Sequence, residues 1–228
     1  MVKAVVFDAY GTLFDVYSIV STAESIFPGR GPVLATCWRD KQIEYTRLRT
    51  LCNRYADFWQ VTSDALVFCC EDLGLPLTED DRARLMAEYE RLQAFPENMP
   101  ALERMRSAGL PLGILSNGTQ KMLETALAAS GLGNYLDKIL SVDAVRKFKT
   151  ASEAYDLGPK AFGIPAGDIL FVSSNGWDVS GAAWFGYHTF WLNRANRPIE
   201  RLGIKPHAVG TTMDNVATYA VGNRGRPE

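Results

Sequence analysis

Short apolar runs alternate along this chain with longer stretches in which apolar residues recur at helical spacing. The short runs predict buried strands, at 2–7, 110–115, 139–142, 169–172 and 189–192. The periodic stretches between the later strands predict helices, at 120–130, 152–162 and 179–185. Alternating strands and helices indicate a parallel sheet with helices on both faces. The predicted fold class is therefore α/β, a doubly wound parallel sheet of Rossmann-like type.

A long helical block separates the first strand from the others. Apolar residues keep helical spacing from about Ser18 to Ala94, as at Leu48, Leu51 and Tyr55. Within the block, one helix is predicted at 63–73, with Thr62 or Ser63 as cap and Gly74 as stop. Another is predicted from Thr78, where Thr-Glu-Asp-Asp gives an acidic first turn. We expect an inserted helical cap subdomain at 16–95, and a core domain formed by 1–15 and 96–228.

Two further expectations concern the ends of the core segment. Strands are predicted to resume after Pro96 and Pro100, beginning with the run at 110–115. The last residues, 222–228, are predicted to form a frayed tail.

The composition of the chain excludes several classes of function. The chain of 228 residues is 47% hydrophobic and 22% charged with a formal net charge of −2, so nothing in it attracts nucleic acid. No apolar run is long enough to cross a bilayer, and the amino terminus enters a strand without room for a signal peptide. Its four cysteines have neither metal-ligand nor CxxC spacing, and Cys69 and Cys70 are expected as buried free thiols on one helix. A cytoplasmic location is expected.

Polar side chains follow the predicted strands or begin the helices after them. They are Asp8 and Thr12, Ser116 and Asn117, Lys149, and Ser173 with Asn175 and Asp178. Taken singly, Ser-Asn-Gly is an ordinary turn, Lys149 a solvated side chain and Asp178 a helix cap. The carboxyl ends of parallel strands share one edge, however, so all of them can meet in one crevice. There Asp8, followed at once by a Gly turn, can act as a nucleophile.

Several runs carry a resemblance to a known family. They are 5–15 (Val-Val-Phe-Asp-Ala-Tyr-Gly-Thr-Leu-Phe-Asp), 38–45, 54–58, 114–118, Lys149 with Tyr155, and 171–178 (Phe-Val-Ser-Ser-Asn-Gly-Trp-Asp). The first resembles the opening motif of the haloacid dehalogenase superfamily. Together, to about residue 195, they resemble its L-2-haloacid dehalogenase branch.

The resemblance implies a hydrolase that converts short-chain L-2-haloacids to D-2-hydroxy acids. Asp8 would attack C2 of the substrate and form an ester, and water would then hydrolyse that ester and release the product. The implied catalytic residues surround Asp8. Thr12 and Ser173 would orient Asp8, and Lys149 would balance its charge. Arg39 would receive the halide, and Asn175 with Asp178 would position the water.

The resemblance also implies a binding site for a small 2-substituted carboxylate. Ser116 and the amides near Tyr10 and Asn117 would hold the carboxylate, Asn117 and Phe171 would lie beside the halide, and Tyr155 would support Lys149 or Asp178. An apolar wall would limit substrate size, formed by Tyr10, Ile43, Phe58 and Trp177. A homodimer is implied as well, for which Leu48, Leu51 and Phe68 could form an interface or equally be core.

A metal-dependent phosphatase of the same superfamily is disfavoured. Such enzymes place one Asp two residues after the nucleophile and another four residues before the last acid. Here Tyr10 and Ser174 stand at those places, which leaves too few carboxylates for a Mg²⁺ site. Lys149 can supply the balancing charge instead, and no metal or cofactor is expected.

Two departures from the family pattern keep alternatives open. Asp40 stands where this branch often has Gln. If its carboxylate faces the substrate pocket, it would favour a cationic leaving nitrogen. A relative that opens a small cyclic amino acid of the azetidine-2-carboxylate type would use such a leaving group. Facing solvent, Asp40 would leave a halide (chloride, bromide or fluoride) as leaving group. Thr150 replaces the Pro that usually follows the lysine. A non-enzymatic relative that uses its cap for protein contacts is the remaining class.

Overall fold

A computed structural model describes residues 1–224 and contains one parallel sheet of six strands. The strands are β1 Ala4–Phe7, β2 Leu112–Ser116, β3 Lys138–Ser141, β4 Ile169–Ser173, β5 His188–Leu192 and β6 Ala208–Gly210. Their order in the sheet is β3-β2-β1-β4-β5-β6. In the central register Val5 pairs with Leu112 on one side and Leu170 on the other. The predicted doubly wound α/β sheet is confirmed.

Ten helices flank or precede the strands within the described residues. They are α1 Val20–Ile26, α2 Gly31–Leu51, α3 Phe58–Asp72, α4 Glu79–Tyr89, α5 Asn98–Ser107, α6 Gln120–Ser130, α7 Ser152–Tyr155, α8 Leu157–Phe162, α9 Gly176–Phe185 and α10 Met213–Gly222. Every residue of β1, β2 and β4 is buried. This is the pattern of a parallel sheet covered on both faces, and it explains why these strands are continuous apolar runs.

The helices α1 to α4 occupy the segment for which a cap was predicted. The chain leaves the sheet and returns to it along two connections that lie side by side. Asp15 donates its amide to the Gln93 carbonyl at 2.8 Å, and Phe95 donates to the Leu13 carbonyl at 3.1 Å. These bonds fix where the helical block joins the sheet; its division at 16 and 95 stays a prediction.

The start of α3 differs from the sequence prediction. The helix begins at Phe58 rather than near Ser63, because the Asp57 carboxylate accepts a hydrogen bond from the Gln60 amide at 2.8 Å. An Asp at this position satisfies one of the free amides of a first turn. The next helix, α4, starts where it was predicted and has the expected acidic first turn, with Thr78 as its cap.

The sequence pattern did not predict α5, which lies between Pro96 and Leu110. Pro100 is its third residue, in the first turn, where an amide has no helical partner and proline is tolerated. β6 and α10 were also missed, and 152–162 forms two helices instead of one.

Surface and tail residues complete the comparison. Gly222 ends α10 and Arg224 pairs with Val2, so the predicted tail is ordered to residue 224; 225–228 lie outside the described residues.

Leu48 and Leu51 are exposed, so they are not core. Cys69 and Cys70 are buried free thiols on α3, as predicted. In residues 1–224, no helix combines the length and apolar character needed to cross a membrane.

The Asp57 cap is testable. Asp57→Ala removes the acceptor for the Gln60 amide and should lower the free energy of unfolding by about 1 kcal/mol, measured by urea denaturation. Asp57→Asn keeps a capping oxygen and should stay close to the parent protein. Equal losses in the two variants would contradict the role of the cap.

Candidate active site

The turn after β1 presents Asp8 at the carboxyl edge of the sheet. Leu13 and Phe14 both donate their amides to the Ala9 carbonyl, which makes the turn tight. Gly11 has φ +91°, and a Cβ there would come within 3.1 Å of the Ser174 hydroxyl, so glycine is needed. The turn thereby brings the Thr12 hydroxyl within 2.9 Å of Asp8 Oδ2.

Lys149 lies between two buried carboxylates. Its Nζ is 3.0 Å from Asp8 Oδ1 and 3.0 Å from Asp178 Oδ2, and the side chain is only 1% exposed. Burial alone lowers the pKa of this ammonium group, but the charges of Asp178 and Asp8 outweigh that effect, and the pKa is raised. Lys149 is therefore a fixed cation at neutral pH.

Asp178 is the second carboxylate of this group. It lies in the first turn of α9, fully buried, and makes no capping hydrogen bond. Tyr155 donates its hydroxyl to Asp178 Oδ1 at 2.7 Å. Burial raises the pKa of Asp178, while attraction to Lys149 opposes that rise. Its geometry is that of a partner of Lys149, so the reading of Asp178 as a mere helix cap is wrong.

The other oxygen of Asp8 is held by neutral donors. Asp8 Oδ2 accepts from Thr12 Oγ1 and Asn175 Nδ2, each at 2.9 Å, and from Ser173 Oγ at 3.4 Å. The Ser174 amide donates to the Thr12 hydroxyl at 2.8 Å, which leaves the hydroxyl proton free to point at Asp8. The carboxylate is thus fixed in one orientation.

Arg39 reaches this edge from α2. Its guanidinium donates to Gln42 Oε1 at 2.8 Å, to the Tyr10 carbonyl at 3.2 Å and to Asn175 Oδ1 at 3.5 Å. The contact links the helical block to the sheet directly above Asp8.

A small cavity separates Asp8 from the helical block. It is narrow, with a free volume of about 10 Å³, and it is lined by Asp8, Tyr10, Arg39, Ile43, Thr46, Phe58, Asn117 and Trp177. Asn117 also accepts the Lys149 amide at 2.9 Å, so two strand-end loops are joined there. Burial raises the pKa of Tyr10 well above its ordinary value near 10, so its hydroxyl is a weak general acid at neutral pH.

Four of the residues predicted to bind the substrate do not line this cavity. Phe171 lies inside β4 with the centre of its ring 4.9 Å from Lys149 Nζ. The Tyr155 hydroxyl donates to Asp178. The Ser116 hydroxyl accepts a hydrogen bond from the Gly118 amide. Each is fully buried. Asp40 is exposed and borders a wider outer groove. Consecutive residues of a helix point in different directions, and on α2 the Arg39 side chain points toward the cavity while that of Asp40 points away from it.

The donors at this site do not suit a divalent cation. Ser174 supplies a hydroxyl where a carboxylate would be needed, and the Lys149 ammonium occupies the space between Asp8 and Asp178. Across residues 1–224, no cluster of three His, Cys, Asp or Glu side chains has metal-binding geometry.

Comparison with known proteins places this chain in a family. The model of the haloacid dehalogenase-like hydrolases matches residues 2–186. The chain belongs to the haloacid dehalogenase-like hydrolase family.

Several relatives within the family match nearly end to end. An (S)-2-haloacid dehalogenase of Pseudomonas sp. (strain YL) is 44% identical over 100% of this chain and 98% of its own length. The crystal structure of an L-2-haloacid dehalogenase has TM-score 0.95 at 54% identity, covering 96% of this chain and 98% of that one. That of the Xanthobacter autotrophicus L-2-haloacid dehalogenase with covalently bound chloropropionic acid has TM-score 0.92 at 37% identity, covering 98% and 100%.

Sequence reasoning missed two residues of this hydrolase site. Thr46 lines the cavity, and Gln42 is fully buried against Arg39. Both lie on α2 one turn from a predicted residue, Gln42 after Arg39 and Thr46 after Ile43. That spacing is the signal that could have found them.

The charge arrangement predicts how the fold responds to loss of Lys149. Lys149→Met leaves Asp8 and Asp178 buried without a cation and should cost about 3–5 kcal/mol of unfolding free energy at neutral pH. Lys160→Met, which removes an exposed lysine, is the matched control and should cost little.

The loss should depend on pH in a defined direction. Without the ammonium, the already raised pKa of Asp178 rises further above its unfolded value of 3.8. A carboxyl group with a raised pKa destabilises the fold only above its unfolded pKa. The deficit of Lys149→Met should therefore shrink as pH falls toward about 4, measured by urea denaturation across pH. A constant deficit would contradict this account.

Proposed function

We propose that this chain is an (S)-2-haloacid dehalogenase, which hydrolyses short-chain L-2-haloacids to D-2-hydroxy acids through an ester on Asp8. The observation that carries the proposal is the arrangement of Asp8. One of its oxygens is bound to the buried Lys149, and the carboxylate borders a small cavity that Arg39 borders as well. The near full-length similarity to (S)-2-haloacid dehalogenases supports it.

In the first step Asp8 attacks C2 of the substrate from the side opposite the halogen. The new C–O bond takes the electron pair of Asp8, and the halide departs with the pair of the broken carbon–halogen bond. Arg39 and Asn117, both at the cavity wall, would receive the halide and hold the substrate. Displacement from the opposite face inverts C2 once.

In the second step water attacks the carbonyl carbon of the Asp8 ester. Asn175 and Asp178 would position the water, since Asn175 donates to Asp8 and Asp178 shares the Lys149 ammonium with it. The Asp8 oxygen bound to carbon leaves with the hydroxy acid, and Asp8 is regenerated with one oxygen from water. Thr12, Ser173 and Lys149 would hold Asp8 in place throughout, with Tyr155 supporting Asp178.

The apolar wall would suit a small substrate. Tyr10, Ile43, Phe58 and Trp177 leave little room in the cavity. Removing bulk water from around Asp8 would leave the carboxylate less solvated in the attack.

The competing reactions lose support from the positions of two residues. Asp40 is exposed and does not border the cavity, so it offers no charge to a leaving amine. The donor set at Asp8 does not suit Mg²⁺, which disfavours a phosphatase.

We also infer a cytoplasmic homodimer. Leu48, Leu51 and Phe68 on α2 and α3 are 48%, 78% and 37% exposed, and they would supply apolar surface to the interface. The four free cysteines suit a reducing compartment.

The function is tested by halide release. The protein should release chloride from L-2-chloropropionate and form D-lactate in the presence of a metal chelator, with no turnover of the D substrate. Chloride is measured by ion chromatography and the product by chiral chromatography. A requirement for Mg²⁺, or equal rates on both enantiomers, would contradict the proposal.

Matched variants control this assay. Asp8→Asn removes the nucleophile and should reduce release to background. Asp168→Asn alters a carboxylate at the opposite, amino end of β4 that pairs with Lys3, and it should retain the parent rate.

A further inference from the structure

Gln42 is a polar side chain buried completely inside the helical block. It lies on α2 one turn after Arg39 and is 0% exposed. Its Oε1 accepts from Arg39 Nη1 at 2.8 Å and from the Tyr89 hydroxyl at 3.0 Å, and its Nε2 donates to Thr62 Oγ1 at 2.7 Å. A buried amide with all these partners is fixed in position.

The orientation of this amide follows from Thr62. The Thr62 hydroxyl donates to the Phe58 carbonyl at 2.6 Å, so its single proton is already used. Its oxygen can therefore only accept from Gln42, which must present its NH₂ group there. The carbonyl of Gln42 consequently faces Arg39 and Tyr89.

Arg39 is bound only by neutral acceptors. Besides Gln42 these are the Tyr10 carbonyl and Asn175 Oδ1. Within residues 1–224 no carboxylate lies within ion-pair distance of its guanidinium. A long Arg side chain is held in place without loss of its positive charge.

We propose that Gln42 is a positioning residue for Arg39: its carbonyl holds the guanidinium at the cavity while leaving the positive charge free for the departing halide. This inference rests on the proposed dehalogenation. A carboxylate in the same place would hold Arg39 equally well but would neutralise it. Gln is the side chain that combines an acceptor for Arg39, a donor for Thr62 and no charge.

The test compares two leaving groups. Gln42→Met keeps the length of the side chain and removes the acceptor for Arg39. Since a hydrogen bond to a charged group is worth about 1.5–3 kcal/mol, kcat/KM for L-2-chloropropionate should fall about 10- to 100-fold. The loss should lie mainly in kcat, because halide charge develops in the transition state. L-2-bromopropionate, with the weaker carbon–halogen bond, should lose less, so the bromide-to-chloride ratio of kcat/KM should rise.

Two further variants separate positioning from simple support of the fold. Leu66→Ala removes a fully buried residue of α3 that does not border the cavity, and its leaving-group ratio should equal that of the parent protein. Gln42→Glu keeps an acceptor for Arg39 but adds a negative charge, and it should lose at least as much chloride turnover as Gln42→Met. It also carries the test if the Met variant folds poorly in thermal melts.

The outcomes distinguish this proposal from the proposed function. A parent protein that releases neither halide refutes the dehalogenation itself. An active parent protein whose Gln42 variants lose both substrates in parallel, with an unchanged ratio as in Leu66→Ala, assigns Gln42 a structural role only. Unchanged chloride turnover in Gln42→Glu overturns the need for a neutral acceptor.

Discussion

The ammonium group of Lys149, buried between Asp8 and Asp178, is the contact on which this site depends. Two carboxylates so close together and so far from water require a cation. Lys149 supplies it from a position 141 residues from Asp8 and 29 residues from Asp178 in the chain. Only the shared edge of a parallel sheet brings these groups together. With the cation in place, the Asp8 carboxylate is held in one orientation at a narrow cavity.

The helical block adds what the sheet edge lacks. It supplies one cationic side chain, Arg39, and apolar side chains that cover Asp8. The backbone hydrogen bonds between Phe95 and Leu13 and between Asp15 and Gln93 fix where the block joins the sheet. Its buried polar contacts determine how Arg39 is held. Asp8 and its counter-ion Lys149 therefore belong to the edge of the sheet, and Arg39 belongs to the inserted helices.

Strong local signals allowed much of this to be predicted. Continuous apolar runs marked the five strands from β1 to β5, and the rule that parallel strand ends meet at one edge grouped Asp8 with Lys149. Weaker signals failed: β6 is a short edge strand, and the prolines at the start of α5 concealed that helix. Side-chain direction was beyond the pattern as well, so Phe171 was expected beside the halide and Gln42 was not expected in the interior.

Isotope labelling of Asp8 during a single turnover distinguishes attack by the carboxylate from direct attack by water. The reaction is run in ¹⁸O-water with enzyme in excess over L-2-chloropropionate. We expect the label to enter the Asp8 carboxylate, which is detected by mass spectrometry of the peptide that contains Asp8. The first hydroxy acid released should carry an unlabelled oxygen from the enzyme. Label that appears in the first product and not in Asp8 would show that water attacks the substrate directly, and would contradict the account.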